Sequence, residues 1–280
     1  MFTLASEGYA VVPAFAAPEE TQALMDEFAR LVTVFDPASH PTTRFSTTDH
    51  SHGSEDYFLG SGDKIRYFFE EGAEIGPEAD PATVRASINK IGHALHDLNP
   101  VFTRFSFSQA VREVLGHTQL DDPVLVQSMY IVKPPRIGGV VAPHQDASFL
   151  IDEPQTVTGL WFALEDATVD NGCLWVLPGS HRDPLHARFA RKANNPQATA
   201  MDGDFPPFDE ETYTPLEVQA GSLVLLHGSV LHASKANTSS RSRHAYTLHF
   251  KSRASTWSPD NWLQSPDRPF HGWESMPHSL

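Results

Sequence analysis

The sequence predicts a mainly β fold: an antiparallel sandwich or jelly roll, with helices from the N-terminal third packed on one sheet. Two observations carry this. From about residue 122 the chain runs through many short segments rich in Val, Leu, Phe, Tyr and Trp, punctuated by Gly, Pro, Asn or Asp, the pattern of successive strands. Before that point the apolar residues recur at helical spacing instead, and helices followed by strands read as layers of one fold. The length, 280 residues, is one that all-β barrels reach as a single domain. A single domain over residues 1–280 is therefore expected, with its jelly-roll core at about 122–255.

Taken in order, "GYAVVPAF" reads as a short strand. "APEETQALMDEFARLV" reads as a helix, with Pro18 in the first turn and Glu19 and Glu20 suited to the dipole there. Leu24, Phe28, Leu31 and Val32 form its apolar face. The polar stretch "DPASHPTTRFSTTDHSHGSEDYF" reads as loop. "ASINKIGHALHDLNPVF" reads as a second helix, with Ile88, Ile91, Leu95 and Leu98 on one face and Pro100 as its stop. "SQAVREVLGH" reads as a short helix ending near Gly116. The strands expected after it are "PVLVQSMYIVK", "GVVAPHQDASF", "VTGLWFALED", "GCLWVLPGS", "TPLEVQ", "GSLVLLHGS" and "RHAYTLHFKS". Between them, residues 181–214 are polar and Pro-rich and read as one long loop, of the kind that often covers a binding site.

Composition excludes some classes. A formal net charge of -15 and a pI near 5.3 argue against nucleic acid or an anionic membrane as partner, since both need a basic face. No apolar run approaches the ~20 residues of a membrane span. The N-terminus lacks the basic start and apolar run of a signal peptide. Cys173 is the one cysteine, so no intrachain disulfide forms, as suits a reducing compartment. A soluble, cytoplasmic protein acting on a small molecule is expected. The sequence sets no oligomeric state.

The chemistry begins at His144-Gln145-Asp146. On a strand, residues two apart share a face, so an imidazole and a carboxylate could meet one cation there. With a distant histidine they would complete a 2-His-1-carboxylate triad, which leaves three positions open on Fe(II). His-x-Asp also occurs at His181-Arg182-Asp183, but in a loop that would not hold the two on one face. The later segment offers His227, His232, His244 and His249. His232 stands out because Ser234 follows it by two residues and Arg243 by eleven. A 2-oxo-dicarboxylate chelated to iron needs a cation for its far carboxylate, and the arginine fork matches one with two parallel hydrogen bonds.

Beyond these residues, "DYFLGSGDKIRYFFEEGA", "SINKIGHALHDLNPVF", "VQSMYIVKPP", "GGVVAPHQDASFL", "WFALEDATVDNGCLWVLPGSH", "HASKANTSSRSRHAYTLHF" and "TWSPDNWLQ" together resemble the phytanoyl-CoA dioxygenase family of Fe(II)/2-oxoglutarate oxygenases. The resemblance covers nearly the whole chain, loops included. It implies a double-stranded β-helix, the cupin-like jelly roll, with supporting N-terminal α-helices. It implies that His144, Asp146 and His232 bind Fe(II), and that Arg243 pairs with the far carboxylate of 2-oxoglutarate, assisted by Ser234. Lys90, Met129 and Trp161 match positions lining the co-substrate or metal pocket. The activity implied is O2-dependent oxidation, hydroxylation of an aliphatic C–H with release of succinate and CO2. Related halogenating enzymes carry a small residue where Asp146 stands, so its carboxylate favours hydroxylation. The alternative is a degenerate, non-catalytic jelly-roll protein that binds metal or ligand, but such a member would have lost a triad residue or the arginine. A cupin-like isomerase or hydrolase would have no use for Arg243 and Ser234.

The remaining polar residues have plainer readings. Gln145 faces away from the ligands. His227 is a strand-end histidine, His93 and His96 are structural on their helix, and Trp175 is a core aromatic. Cys173 is buried and inert. Arg182, Arg188, Arg191 and Lys192 make the 181–214 segment basic, either as solvated charges or to attract an anionic substrate. This segment and residues 36–56 are expected to set substrate choice.

Overall fold

The computed structural model describes residues 3–41, 43–45 and 56–275, with backbone alone at Phe45 and Ser275. Residues 42 and 46–55 of the expected 36–56 loop lie outside that range. The elements run α1 (Leu4–Glu7), β1 (Tyr9–Val12), α2 (Pro18–Thr33), β2 (Arg44–Phe45), α3 (Asp56–Leu59), β3 (Ile65–Glu70), α4 (Pro81–Ser87), β4 (Ile88–His93), α5 (Leu95–Leu98), α6 (Pro100–Ser106) and α7 (Gln109–Leu115). Then follow β5 (Pro123–Lys133), β6 (Val141–His144), β7 (Asp152–Glu153), β8 (Thr158–Ala163), β9 (Leu174–Val176), β10 (Ala187–Lys192), β11 (Asn195–Gly203), β12 (Thr214–Leu216), β13 (Leu223–His227), β14 (His232–Ser234), β15 (Arg243–Ser252) and β16 (Thr256–Trp257).

The larger sheet has the order β1-β13-β8-β15-β5-β4-β3-β2, and the smaller one the order β12-β9-β14-β6. Pairing is antiparallel except between β2 and β3. Trp161, Ala163, Val224, Leu226 and Ala245 of the large sheet pack on Leu174, Trp175, Val176 and Ala233 of the small one. Their strand neighbours Leu160, Phe162, Leu223, Leu225, Tyr246 and Leu248 point the other way, into a layer with Leu24, Phe28, Phe102, Phe105 and Val111 of the helices. Covered on both faces, these central strands read as unbroken apolar runs. The result is the double-stranded β-helix with helices on the outer face of one sheet.

Helix α2 forms as its sequence implies. Pro18 opens it, the Glu20 carboxylate accepts from the Ala17 N–H at 2.8 Å, and Leu24, Phe28, Leu31 and Val32 are buried. Phe28 stacks on Tyr130 of β5, with ring centroids 4.4 Å apart. Asn99 ties the helices together: its Oδ1 accepts from the Val101 N–H at 3.0 Å, capping α6, while its amide donates to Glu27 of α2.

Two expectations need correction. Residues 88–93 are not helical: β4 sits inside the large sheet between β3 and β5, with registers Tyr67↔Ile91 and Ile91↔Tyr130. Five of its six residues are buried, so alternation is lost and Ile88, Ile91 and Leu95 fall at helical spacing by coincidence; sheet pairing overrides the local pattern. Lys90 and His93 are therefore strand residues, and His96 lies on the one-turn α5. The 181–214 segment is not a plain loop either, since it contains the hairpin β10–β11. Its strands are largely polar because most of their positions face outward. Among the described residues no helix is long and apolar enough to cross a membrane.

Candidate metal and co-substrate site

His144 ends β6 and His232 begins β14, and the two are paired directly across the small sheet. Their rings lie 4.1 Å apart. The strand stops at His144, and Asp146 opens a 3-10 turn, Asp146–Ser148. Gln145 between them keeps extended backbone (φ -119, ψ 129), so Asp146 still returns to the side of His144. Gln145 faces away, donating to Ser229 O at 2.8 Å and accepting from the His186 N–H at 2.9 Å.

Asp146 Oδ1 stands 3.8 Å from His144 Nε2 and 3.6 Å from His232 Nε2. One ligand atom from each of the three residues falls within 4.8 Å of the others. These separations are too long for hydrogen bonds but suit three donors around a shared ion, each bond being about 2.0–2.2 Å. Each imidazole Nδ1 lies beside a carbonyl two residues earlier, Ala142 O at 2.9 Å and Val230 O at 3.1 Å. A carbonyl only accepts, so both Nδ1 atoms carry the proton and both Nε2 lone pairs face Asp146, the arrangement a metal-binding histidine needs. Burial, then the neighbouring His232, pushes His144 down to about 4, so it is neutral at pH 7. Burial opposes ionisation of Asp146, but His249, by its field and its hydrogen bond, outweighs it and holds the carboxyl well below the usual carboxylate range.

Of the four later histidines, the structure brings two to the carboxylate. His249 of β15 places Nε2 3.2 Å from Asp146 Oδ2, opposite the oxygen that faces the triad. His227 lies elsewhere, against His181, and His244 Nδ1 is 2.7 Å from Tyr130 OH. Space for Asp146 comes from Gly159, where an added Cβ would stand 3.0 Å from Oδ2. Gly159→Ala is therefore expected to weaken metal binding about tenfold, as changes just outside a ligand shell do, with little loss of global stability. Calorimetric titration with Co(II), alongside a melting curve, checks this.

Arg243, 2% exposed, opens β15. Its Nε donates to Gly172 O at 3.2 Å, and its guanidinium carbon lies 5.4 Å from the Trp161 ring centroid. Its Nη1 is buried without a hydrogen-bond partner among the described residues, and so is Ser234 Oγ. Such orphaned groups are uncommon and costly, about 1–3 kcal/mol each, unless a ligand satisfies them. Ser234 shares a face with His232 two residues before it. A guanidinium and a hydroxyl are donors of the kind that a carboxylate accepts from.

A cavity of about 610 Å³ reaches the triad, lined by His144, Asp146, His249, Met129, Lys90 and the aromatic Phe58, Phe149, Phe189, Phe205 and Trp262. Lys90 is buried, its Nζ 5.5 Å from the Phe68 ring and 5.9 Å from Phe58, and burial lowers it to about 7. Phe189, Phe205 and two prolines bring the 181–214 segment into the cavity wall. Its basic residues divide. Arg191 donates to the carbonyls of Asn261, Trp262 and Pro196, and Arg182 to that of Ser6, so both are tied to backbone, while Arg188 and Lys192 are exposed. His93 and His96 are buried and bonded to Ser61 and Ser128. Cys173 is buried and its thiol is pushed up to about 11 by that burial, which leaves it inert. Sequence reasoning missed Glu70, Asn89 and Lys133, which also line the cavity.

The family model for phytanoyl-CoA dioxygenase (PhyH) matches residues 4–245. Phytanoyl-CoA dioxygenase domain-containing protein 1 of Bos taurus is 46% identical over 272 residues, covering 94% of each chain. Phytanoyl-CoA dioxygenase 1 of Oryza sativa subsp. japonica is 44% identical over 269 residues, covering 95% of this chain and 94% of its own. Among solved structures, the epimerase SnoN in complex with Fe3+, alpha ketoglutarate and nogalamycin RO superposes with a TM-score of 0.62 at 16% identity, covering 96% of this chain and 92% of its own. EvdO2 from Micromonospora carbonacea var. aurantiaca, complexed with 2-oxoglutarate, gives 0.57 at 22% identity, covering 96% and 94%.

Proposed function

From the membership of this chain in the phytanoyl-CoA dioxygenase family, we propose that it is an Fe(II)- and 2-oxoglutarate-dependent dioxygenase that uses O2 to hydroxylate an aliphatic C–H of a small molecule, releasing succinate and CO2. The observation that carries the reading is the convergence of His144, Asp146 and His232, the first two of which line the cavity.

In this reading His144 Nε2, His232 Nε2 and one Asp146 oxygen hold the metal. The Arg243 guanidinium binds the far carboxylate of 2-oxoglutarate, with the Ser234 hydroxyl donating beside it. Trp161 fixes the plane of Arg243 from below. Met129 and Lys90 border the same space. Bound iron and 2-oxoglutarate supply the oxidising chemistry, and the protein supplies orientation and shielding. The aromatic wall of Phe58, Phe149, Phe189 and Trp262 keeps water from the reacting carbon and gives an apolar substrate its surface. His249, donating to Asp146 Oδ2, leaves Oδ1 as the metal-facing oxygen. The basic pair left exposed, Arg188 and Lys192, is where an anionic substrate group would meet the 181–214 segment.

The test is succinate formation from 2-oxoglutarate by anaerobically Fe(II)-loaded protein on admission of O2, without added primary substrate. Slow, iron-dependent succinate is expected. Failure to bind iron at all would sink the reading, and iron and 2-oxoglutarate binding without turnover on a broad panel of apolar substrates would make the protein a binder.

A further inference from the structure

A second buried cation stands beside Arg243. Lys133 ends β5 directly opposite Arg243 in the pairing of β5 with β15, and each is 2% exposed. Both touch Gly172. Arg243 Nε donates to its carbonyl at 3.2 Å, and Lys133 Cδ lies 2.5 Å from where a Cβ on Gly172 would stand. Gly138 closes on the stem from another side, its absent Cβ 2.8 Å from Lys133 Cβ. The Lys133 ammonium donates to Gly139 O. A lysine gripped along its length between two glycines is not a surface charge with a buried stem. Yet this lysine is among the residues that line the cavity.

Two acids reach the corner, Glu70 and Glu165. Glu70 of β3, 2% exposed, acts on both cations. Its Oε1 accepts from Asn89 Nδ2 at 3.0 Å and its Oε2 from the Gly139 N–H at 3.1 Å, and burial raises its pKa. Cys173 faces the corner as a neutral thiol. Glu165 acts on Arg243 but is engaged by the His244 N–H and the Ser242 hydroxyl. Glu70 is thus the acid that acts on both cations, and burial, with Arg243 beside it, lowers Lys133 to about 7. Buried charges are ordinarily paired. Among the described residues Arg243 Nη1, on the residue paired with Lys133, lacks a hydrogen-bond partner.

We propose that Lys133 is a positioning residue that selects a dicarboxylate: with Arg243 it forms a two-cation corner for the far carboxylate of a 2-oxo acid. This rests on the 2-oxoglutarate reading of the cavity. Arg243 supplies the geometry through its fork, and Lys133 supplies a point charge. An acid with the same keto end but no far carboxylate gains nothing from Lys133.

The test is anaerobic calorimetry on the full chain loaded with Fe(II), titrated with 2-oxoglutarate and with 2-oxopentanoate, which keeps the keto acid and chain length but lacks the far carboxylate. Lys133→Met, of similar length and uncharged, is expected to weaken 2-oxoglutarate about tenfold while leaving 2-oxopentanoate within about twofold. The double variant Lys133→Met/Glu70→Gln, which leaves no lone buried acid, is expected to show a smaller loss that is still confined to 2-oxoglutarate. Glu70→Gln alone is expected to tighten 2-oxoglutarate by about threefold, an opposite-signed readout that stands even if the lysine variants do not fold. Unchanged affinity, or equal weakening of both acids, would overturn the proposal. Failure of the wild-type protein to bind either acid would instead remove the 2-oxoglutarate reading on which it rests.

Discussion

Asp146→Ala is expected to abolish Fe(II)-dependent succinate formation and to weaken Fe(II) by about a thousandfold or more, since it removes the one anionic donor from the proposed triad, whose other two members are imidazoles. The loss is local. The turn that carries Asp146 is closed by its backbone, whose carbonyl accepts from the Phe149 and Leu150 N–H groups at 3.0 Å, so the variant folds. Asp146→Asn sharpens the argument, because it keeps the shape beside Gly159 and His249 but not the charge, and is expected to bind iron little better than Asp146→Ala. His227→Ala serves as the contrast: that residue lies outside the triad and its substitution is expected to leave iron affinity unchanged. Metal titration of the three proteins, with melting curves to show that each is folded, checks the set. Wild-type affinity in Asp146→Ala would move the metal centre elsewhere.

The parts of this site legible in the sequence are those whose partners are close along the chain. His144 and Asp146 are two residues apart, and one extended residue between them is enough to set their common side. Ser234 follows His232 by two, for the same reason. Arg243 could be reached because one connection separates β14 from β15. The central strands announced themselves because Trp161 and Phe162, or Leu225 and Leu226, serve different layers and are both apolar. What could not be read depends on sheet order. Glu70, Asn89 and Lys133 meet because β3, β4, β5 and β15 stand side by side, a long-range arrangement that no local pattern encodes. A glutamate in "FFEE" and a lysine before "PP" look like solvated strand ends. The same cause misread residues 88–93: a strand covered on both faces has no alternation, and its isoleucines then fit a helix as well as a sheet. The hairpin β10–β11 failed in the opposite way, its polar outward faces looking like loop.

Arg243→Ala is expected to raise the Kd for 2-oxoglutarate by a hundredfold or more, about 3 kcal/mol, as truncating a buried charged partner does, while Fe(II) affinity changes by no more than a few-fold. The separation follows from geometry. In the proposed reading the metal would be held by His144, Asp146 and His232, away from Arg243, whereas the far carboxylate of the co-substrate would lose both prongs of its fork and keep only Ser234 and the field of Lys133. Arg243→Lys is not expected to restore binding, because an ammonium cannot reproduce the two parallel bonds and would lose both the Nε contact to Gly172 O and the place of the guanidinium over the Trp161 ring. Kinetically, KM for 2-oxoglutarate should rise much more than kcat falls, with saturation recovered at high co-substrate. A jelly-roll isomerase or hydrolase working without 2-oxoglutarate predicts the contrary, with activity untouched by Arg243→Ala. Calorimetry with 2-oxoglutarate under anaerobic conditions and succinate rates across co-substrate concentration decide between them. An Arg243→Ala protein that folds, binds iron and binds 2-oxoglutarate as the wild type does would sever the link between the buried guanidinium and the co-substrate.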